Sequence, residues 1–217
     1  MMESKRIFKN AAFALLIVGL FTSAASAALI PLTLDDSPDL FSSGIDVVYS
    51  GGTLTATGWT TQMDHDGDGD YTAITENTSW GSFSLSAAID GSGALSSGSV
   101  TLDGEIAGLG YTSGTLLTGT LTDFGFDETG GEILEFVFTV TGGDAAGLYG
   151  SGPVGMIMNS TGFDGSWGDG FDNYNEDWGG GPMTGNAQSS TAPIPEPATL
   201  VLLASGAAAM LLKRRKR

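Results

Sequence analysis

The sequence contains no cysteine, which removes disulfide bridges, thiolate nucleophiles and cysteine-based zinc or iron-sulfur centres together. Lysine and arginine are just as absent from its interior. All eight lie at the ends, Lys5, Arg6 and Lys9 at the start and Lys213, Arg214, Arg215, Lys216 and Arg217 at the finish, with none between Ala28 and Ala192. Of the 25 carboxylates, all but Glu3 and Glu196 sit in that cation-free stretch, and the formal net charge is -17. No nucleic-acid partner is expected, because neutralising phosphates needs Lys and Arg, and anionic ligands are disfavoured for the same reason. The negative charge of the interior must be met by solvent, backbone N–H groups or bound cations. His65 is the sole histidine. A Ser-His-Asp triad would depend on it, and its anionic loop, Asp64 to Asp70, suits it poorly as a general base.

Glycine is abundant, at 34 of 217 residues, with many Ser and Thr and only 15% charged residues. Such a balance favours turn-rich β structure. Short runs alternating apolar and small polar residues recur about every ten positions. They predict strands at 45–49, 53–59, 71–76, 82–89, 99–106, 115–124, 133–141 and 154–158. Ser50-Gly51-Gly52 and Asp90-Gly91-Ser92-Gly93 each predict a hairpin turn. The expected fold class is all-β, an antiparallel β-sandwich or jelly-roll-like body, with a β-solenoid as the alternative suggested by repeated Gly-Thr-Leu triplets. In Glu135 to Val140, Phe136 and Phe138 share one face of a central strand, and Glu132 and Glu135 are expected to act as charged gatekeepers against aggregation.

The two ends read as signals. Residues 1–27 have a basic start, an apolar run from Ala11 to Phe21 and the small-residue exit Ala25-Ser26-Ala27, which predicts a signal helix cleaved after Ala27. The apolar run spans only about 16 Å as a helix, roughly half the hydrocarbon thickness, which favours cleavage over anchoring. Residues 28–178 form the expected acidic extracellular domain, and 179–192 the expected flexible Gly/Ser linker. Next come Pro193-Ile194-Pro195-Glu196-Pro197, an apolar stretch from Ala198 to Leu212, and the basic cluster Lys213 to Arg217. The prolines hold the chain extended, the stretch makes a short transmembrane helix of about 22 Å, and the cations keep their end cytoplasmic.

Over residues 193–217 the chain resembles the PEP-CTERM sorting tail: the Pro195-Glu196-Pro197 motif, the Ala198-Thr199-Leu200 behind it, the short helix and the Arg-rich close. The resemblance implies secretion through the translocon, transient anchoring in the inner membrane, recognition by an exosortase-type membrane enzyme, and delivery to the cell surface or extracellular layer, often beside exopolysaccharide.

Within the body, Asp64-His65-Asp66-Gly67-Asp68-Gly69-Asp70 resembles the opening of an EF-hand calcium loop. Asp64, Asp66, Asp68 and Asp70 are the candidate ligands, alternate oxygens converge on a hard cation, and Gly69 stands where a sharp turn is needed. The closing half departs from that pattern, since the twelfth position is Thr75, with Glu76 one residue late. A second acidic group, Asp164, Asp169, Asp172, Glu176 and Asp177, has no ordered spacing and reads as hydrated surface. Trp167, Phe171, Tyr174 and Trp178 are expected to close the core, with sugar stacking as the alternative use. The functional expectation is a non-catalytic surface or matrix protein of the exopolysaccharide or biofilm layer. The alternatives are a calcium-assisted module binding extracellular polysaccharide and a two-carboxylate glycosidase-like enzyme.

Overall fold

The computed structural model describes residues 28–77, 79–168, 170–173 and 185–195. The expected signal helix, the apolar stretch 198–212 and the basic cluster lie outside these residues. Among the described residues no helix is long and apolar enough to cross a membrane.

The strands are β1 (Asp39–Ser50), β2 (Thr53–Asp64), β3 (Thr72–Ala73), β4 (Thr75–Glu76), β5 (Ser79–Ile89), β6 (Leu95–Ile106), β7 (Tyr111–Phe126), β8 (Ile133–Gly142), β9 (Val154–Asn159), β10 (Phe171–Asp172) and β11 (Ala187–Pro193). All strand pairings among them are antiparallel. Following the long strands, β1 pairs with β2, β2 with β5, and so on through β6, β7, β8 and β9 to β11, which pairs back onto β1. The sheet therefore closes on itself as an up-and-down barrel in which each strand of the ring lies beside its neighbours in sequence. Closure removes the open edges that an acidic, β-rich chain would otherwise expose.

This outcome keeps the expected all-β, antiparallel class, leaves sandwich-like packing of opposite walls in place, and departs from the jelly-roll form. The ring is a meander, without the crossing connections of a jelly roll. Nor is it a solenoid, because its neighbouring strands run antiparallel. Both expected hairpins form, Ser50 pairing with Thr53 and Ala88 with Ser97 at the two turns.

Alternation fills the barrel. Leu54 and Ala56 of β2, Phe83, Leu85, Ala87 and Ile89 of β5, Val100 and Leu102 of β6, and Leu134, Phe136 and Phe138 of β8 are all buried. They belong to one apolar cluster, so opposite walls of the ring pack on each other as two sheets of a sandwich do. Part of the glycine excess serves this packing: a Cβ on Gly119 would lie 2.1 Å from the Phe138 ring. One end of the barrel is plugged by an aromatic cluster. There Trp167, 4% exposed, meets Tyr49, Phe124, Phe126 and Phe163 at centroid distances of 4.8 to 5.4 Å. Phe171 packs on Phe163 from outside, so both described members of the aromatic set serve the core, while Tyr174 and Trp178 lie outside the described residues.

Two expectations are overturned by how the chain ends are held. Residues 179–192 are not all a flexible linker: Ala187 to Ala192 belong to β11, a strand paired on both sides, with Leu40 opposite Thr191 in β1 and Ile157 opposite Ser190 in β9. The segment escapes a periodicity reading because its inward positions are Ala187, Ser189 and Thr191, too small and polar to register as a hydrophobic face. The body thus runs to Pro193. Glu135 is no gatekeeper, since it is 4% exposed and its carboxylate accepts the Ile30 N–H at 2.6 Å and the Leu32 N–H at 3.0 Å. It fastens residues 28–35 as a strap across β7, β8 and β9. Ala28 bridges to Phe126, and the Asp35 N–H donates to the Pro193 carbonyl at 2.9 Å. Glu132 likewise ties a loop, accepting the Gly162 N–H at 3.0 Å.

Candidate functional site

At the barrel end opposite the aromatic plug, β2 finishes in Asp64 and the acidic loop follows. Asp64 is 3% exposed, and its carboxylate folds the loop around itself. Oδ1 accepts the Gly67 N–H at 2.8 Å and the Asp66 N–H at 3.3 Å, and Oδ2 accepts the Gly69 N–H at 3.1 Å. Gly67 and Gly69 sit at φ 80° and 83°, a left-handed backbone that lets their N–H groups turn back onto Asp64. These bonds, that of Gly67 first, hold the Asp64 pKa below the usual 3.8 against the opposing effect of burial.

Of the four candidate ligands the fold gathers three. Single oxygens of Asp64, Asp66 and Asp68 lie within 4.8 Å of one another, a spacing from which carboxylates can close on a calcium ion. Asp70 is not part of that group; its N–H caps Asp68 Oδ1 at 2.8 Å. His65 Nε2 lies 3.6 Å from Asp66 Oδ2 and adds a cation only when protonated. The loop leads into strands β3 and β4, where an EF-hand would continue as helix.

Three further carboxylates meet the loop that the sequence did not connect with it. Asp39 is the register partner of Asp64 across β1 and β2. Its Oδ1 accepts the Ser190 hydroxyl at 2.8 Å and the Thr191 N–H at 3.0 Å, joining β1 to β11. Burial raises the Asp39 pKa above 3.8, those two bonds oppose the rise, and neighbouring Asp64 adds to it. Asp35 and Asp36 come from the strap. Together with Asp64, Gly67, Gly69 and Tyr71 they wall an open groove of about 640 Å³ whose floor includes Phe41, Ile157, Gln188 and Ser190. Tyr71 is 50% exposed, an accessible aromatic face beside the acidic loop. The run Asp35-Asp36-Ser37-Pro38-Asp39 was visible in the sequence, but only the β1–β2 register and the path of the strap bring it to Asp64.

The two described members of the second acidic group, Asp164 and Asp172, are exposed, and each takes part in local structure. Asp164 caps the Ser166 N–H at 2.9 Å, and Asp172 lies in β10 against Val48. Asp169, Glu176 and Asp177 lie outside the described residues.

The acidic loop and the root of the C-terminal tail share one barrel end, and the groove runs from the loop along β1, β11 and β9. Pro193 is the last residue of β11, opposite Val154, and the Ile194 N–H donates to the Pro153 carbonyl at 3.1 Å. Pro195 is exposed just beyond, while Glu196 and Pro197 lie outside the described residues. No curated protein and no solved structure matches the chain. A family model does match its end: residues 193–217 are a PEP-CTERM protein-sorting motif, and the chain thereby carries the C-terminal signal of an exosortase-targeted exported protein.

Proposed function

We propose that this protein is an exported, exosortase-processed component of the cell surface or extracellular matrix, non-catalytic and associated with the exopolysaccharide layer. The observation that carries the reading is the sorting motif at residues 193–217, joined to a closed, cation-free acidic barrel. A barrel with no cysteine and no open edge in its ring suits life outside the cell, where neither reducing agents nor chaperones protect it. Secretion through the translocon with cleavage after Ala27 would leave Ala28, which bridges to Phe126, in the mature chain. The test is fractionation of a host that possesses an exosortase, expressing the full chain or the Pro195→Ala, Glu196→Ala, Pro197→Ala triple variant. The native chain is expected at the surface or in the medium and the variant in the inner membrane. Identical distribution of the two, or a cytosolic native chain, would sink the reading.

A second reading, calcium-assisted binding of a neutral polysaccharide, is favoured by the half-exposed Tyr71 beside the Asp64–Asp66–Asp68 group on one groove. Sugars stack their apolar faces on an aromatic ring and hydrogen-bond to amides and carboxylates, the chemistry of Tyr71, Gln188 and Asp36. Calcium held by the three aspartates would offset their repulsion and offer open coordination to hydroxyls. Titration calorimetry of the full chain with calcium should give heat and a raised melting temperature that Asp66→Asn with Asp68→Asn abolishes. Gels cast with a neutral glucan should retard the native chain more than Tyr71→Ala. Absence of heat at millimolar calcium removes the metal, and equal mobility in the gel removes the glycan.

A further inference from the structure

The sorting motif was expected to hang on a stalk, and it does not. Its first residue, Pro193, is also the last paired residue of β11, the strand that closes the barrel between β1 and β9. Three sets of contacts lock that root. Asp39 holds Ser190 and Thr191, the strap's Asp35 N–H reaches the Pro193 carbonyl, and Ile194 bonds to Pro153 while its side chain lies beside Gly155, as do those of Leu32 and Leu34. Pro197 is the fourth residue beyond Pro193, a reach of at most about 14 Å when fully extended.

From this we infer that β11 is a latch that makes the fold depend on the root of the sorting tail. The barrel closes only once residues 187–193 have cleared the membrane, and processing must leave the chain intact through Ile194. Before then β1 and β9 lack their shared partner and expose ladder groups that pair indiscriminately with other chains. A cut before Pro193 would take away part of the closing strand and a cut just after it would remove the Ile194 contacts, whereas a cut beyond Ile194 leaves every described contact in place. The inference rests on the exosortase reading for the existence of a cut, and on the β11 pairings for where that cut can fall.

Two measurements on the full chain test it separately. Mass spectrometry of the form released by an exosortase-bearing host should find a C-terminus at Ile194 or later, and a C-terminus at Pro193 or earlier overturns the inference. Thermal melting tests the latch whether or not release occurs. Ser190→Pro deprives a doubly paired strand of a ladder N–H, and should lower the midpoint by roughly 6–12 °C or drive the protein into aggregates. Ser190→Ala, which removes only the hydroxyl bond to Asp39, should shift it by far less. A Ser190→Pro chain that melts with the native protein shows that β11 is dispensable and ends the proposal. Failure of release with the expected melting would count against exosortase processing and leave the latch standing.

Discussion

At the scale of single residues, the absence of lysine and arginine from the body dictates how each carboxylate is satisfied. Backbone N–H groups and hydroxyls take the place that cations fill elsewhere. Asp64, Asp90 and Asp127 all cap local turns in this way, Asp90 through Ser92 and Ala94 and Asp127 through Thr129. Glu135 uses the same device over a long range, joining strap to sheet. Asp39 is the exception in sign, because burial outweighs its two bonds and lifts its pKa. A raised folded-state value means that ionised Asp39 opposes folding above that value, and that its cost vanishes below 3.8. Asp39→Asn keeps an Oδ1 acceptor for Ser190 and Thr191 while removing the charge beside Asp64. Melting curves of Asp39→Asn are therefore expected above those of the native chain at pH 7, with the gap closing as pH falls below 3.8. A variant less stable at pH 7 would show that the charge itself serves the β1–β11 junction.

Elements form where local pattern and neighbours agree. All eight strands expected from alternation are present, most of them longer than their apolar cores suggested; 45–49 grew into Asp39–Ser50 and 115–124 into Tyr111–Phe126. The region 71–76 was the weakest match, two fragments separated at Ile74, whose N–H bonds to the Thr61 carbonyl. β11 was missed because its identity lies in its partners and not in its composition. The aromatic plug shows the converse, since Trp167 sits in a loop without periodicity yet is among the best-packed side chains. Trp167→Ala should cost about 3–5 kcal/mol in urea unfolding and flatten the near-ultraviolet dichroism. Trp167→Phe should cost clearly less, because it keeps an aromatic ring and discards a buried indole N–H that has no partner. Equal losses in the two variants would mean that the ring contacts do not hold the plug.

For the whole molecule, stability against acid follows from summing these carboxylates. The lowered pKa values of Asp64, Asp90 and Asp127 contribute stability that is present above 3.8 and lost as pH falls through their folded values. The melting temperature should therefore decline below about pH 4. A variant with all three changed to Asn should melt lower at pH 7 and depend less on pH; an unchanged acid slope would refute the assignment. Export, the acidic balance, the all-β class and the sorting tail were fixed by local sequence, because charge, hydropathy and turn chemistry are properties of neighbouring residues. Three features waited on the tertiary structure: closure of the ring through β11, burial of Glu135 under the strap, and the meeting of Asp35, Asp36 and Asp39 with the Asp64 loop. Each depends on which strand lies beside which, and a register joining residues from 25 to about 150 positions apart leaves no mark in either segment alone.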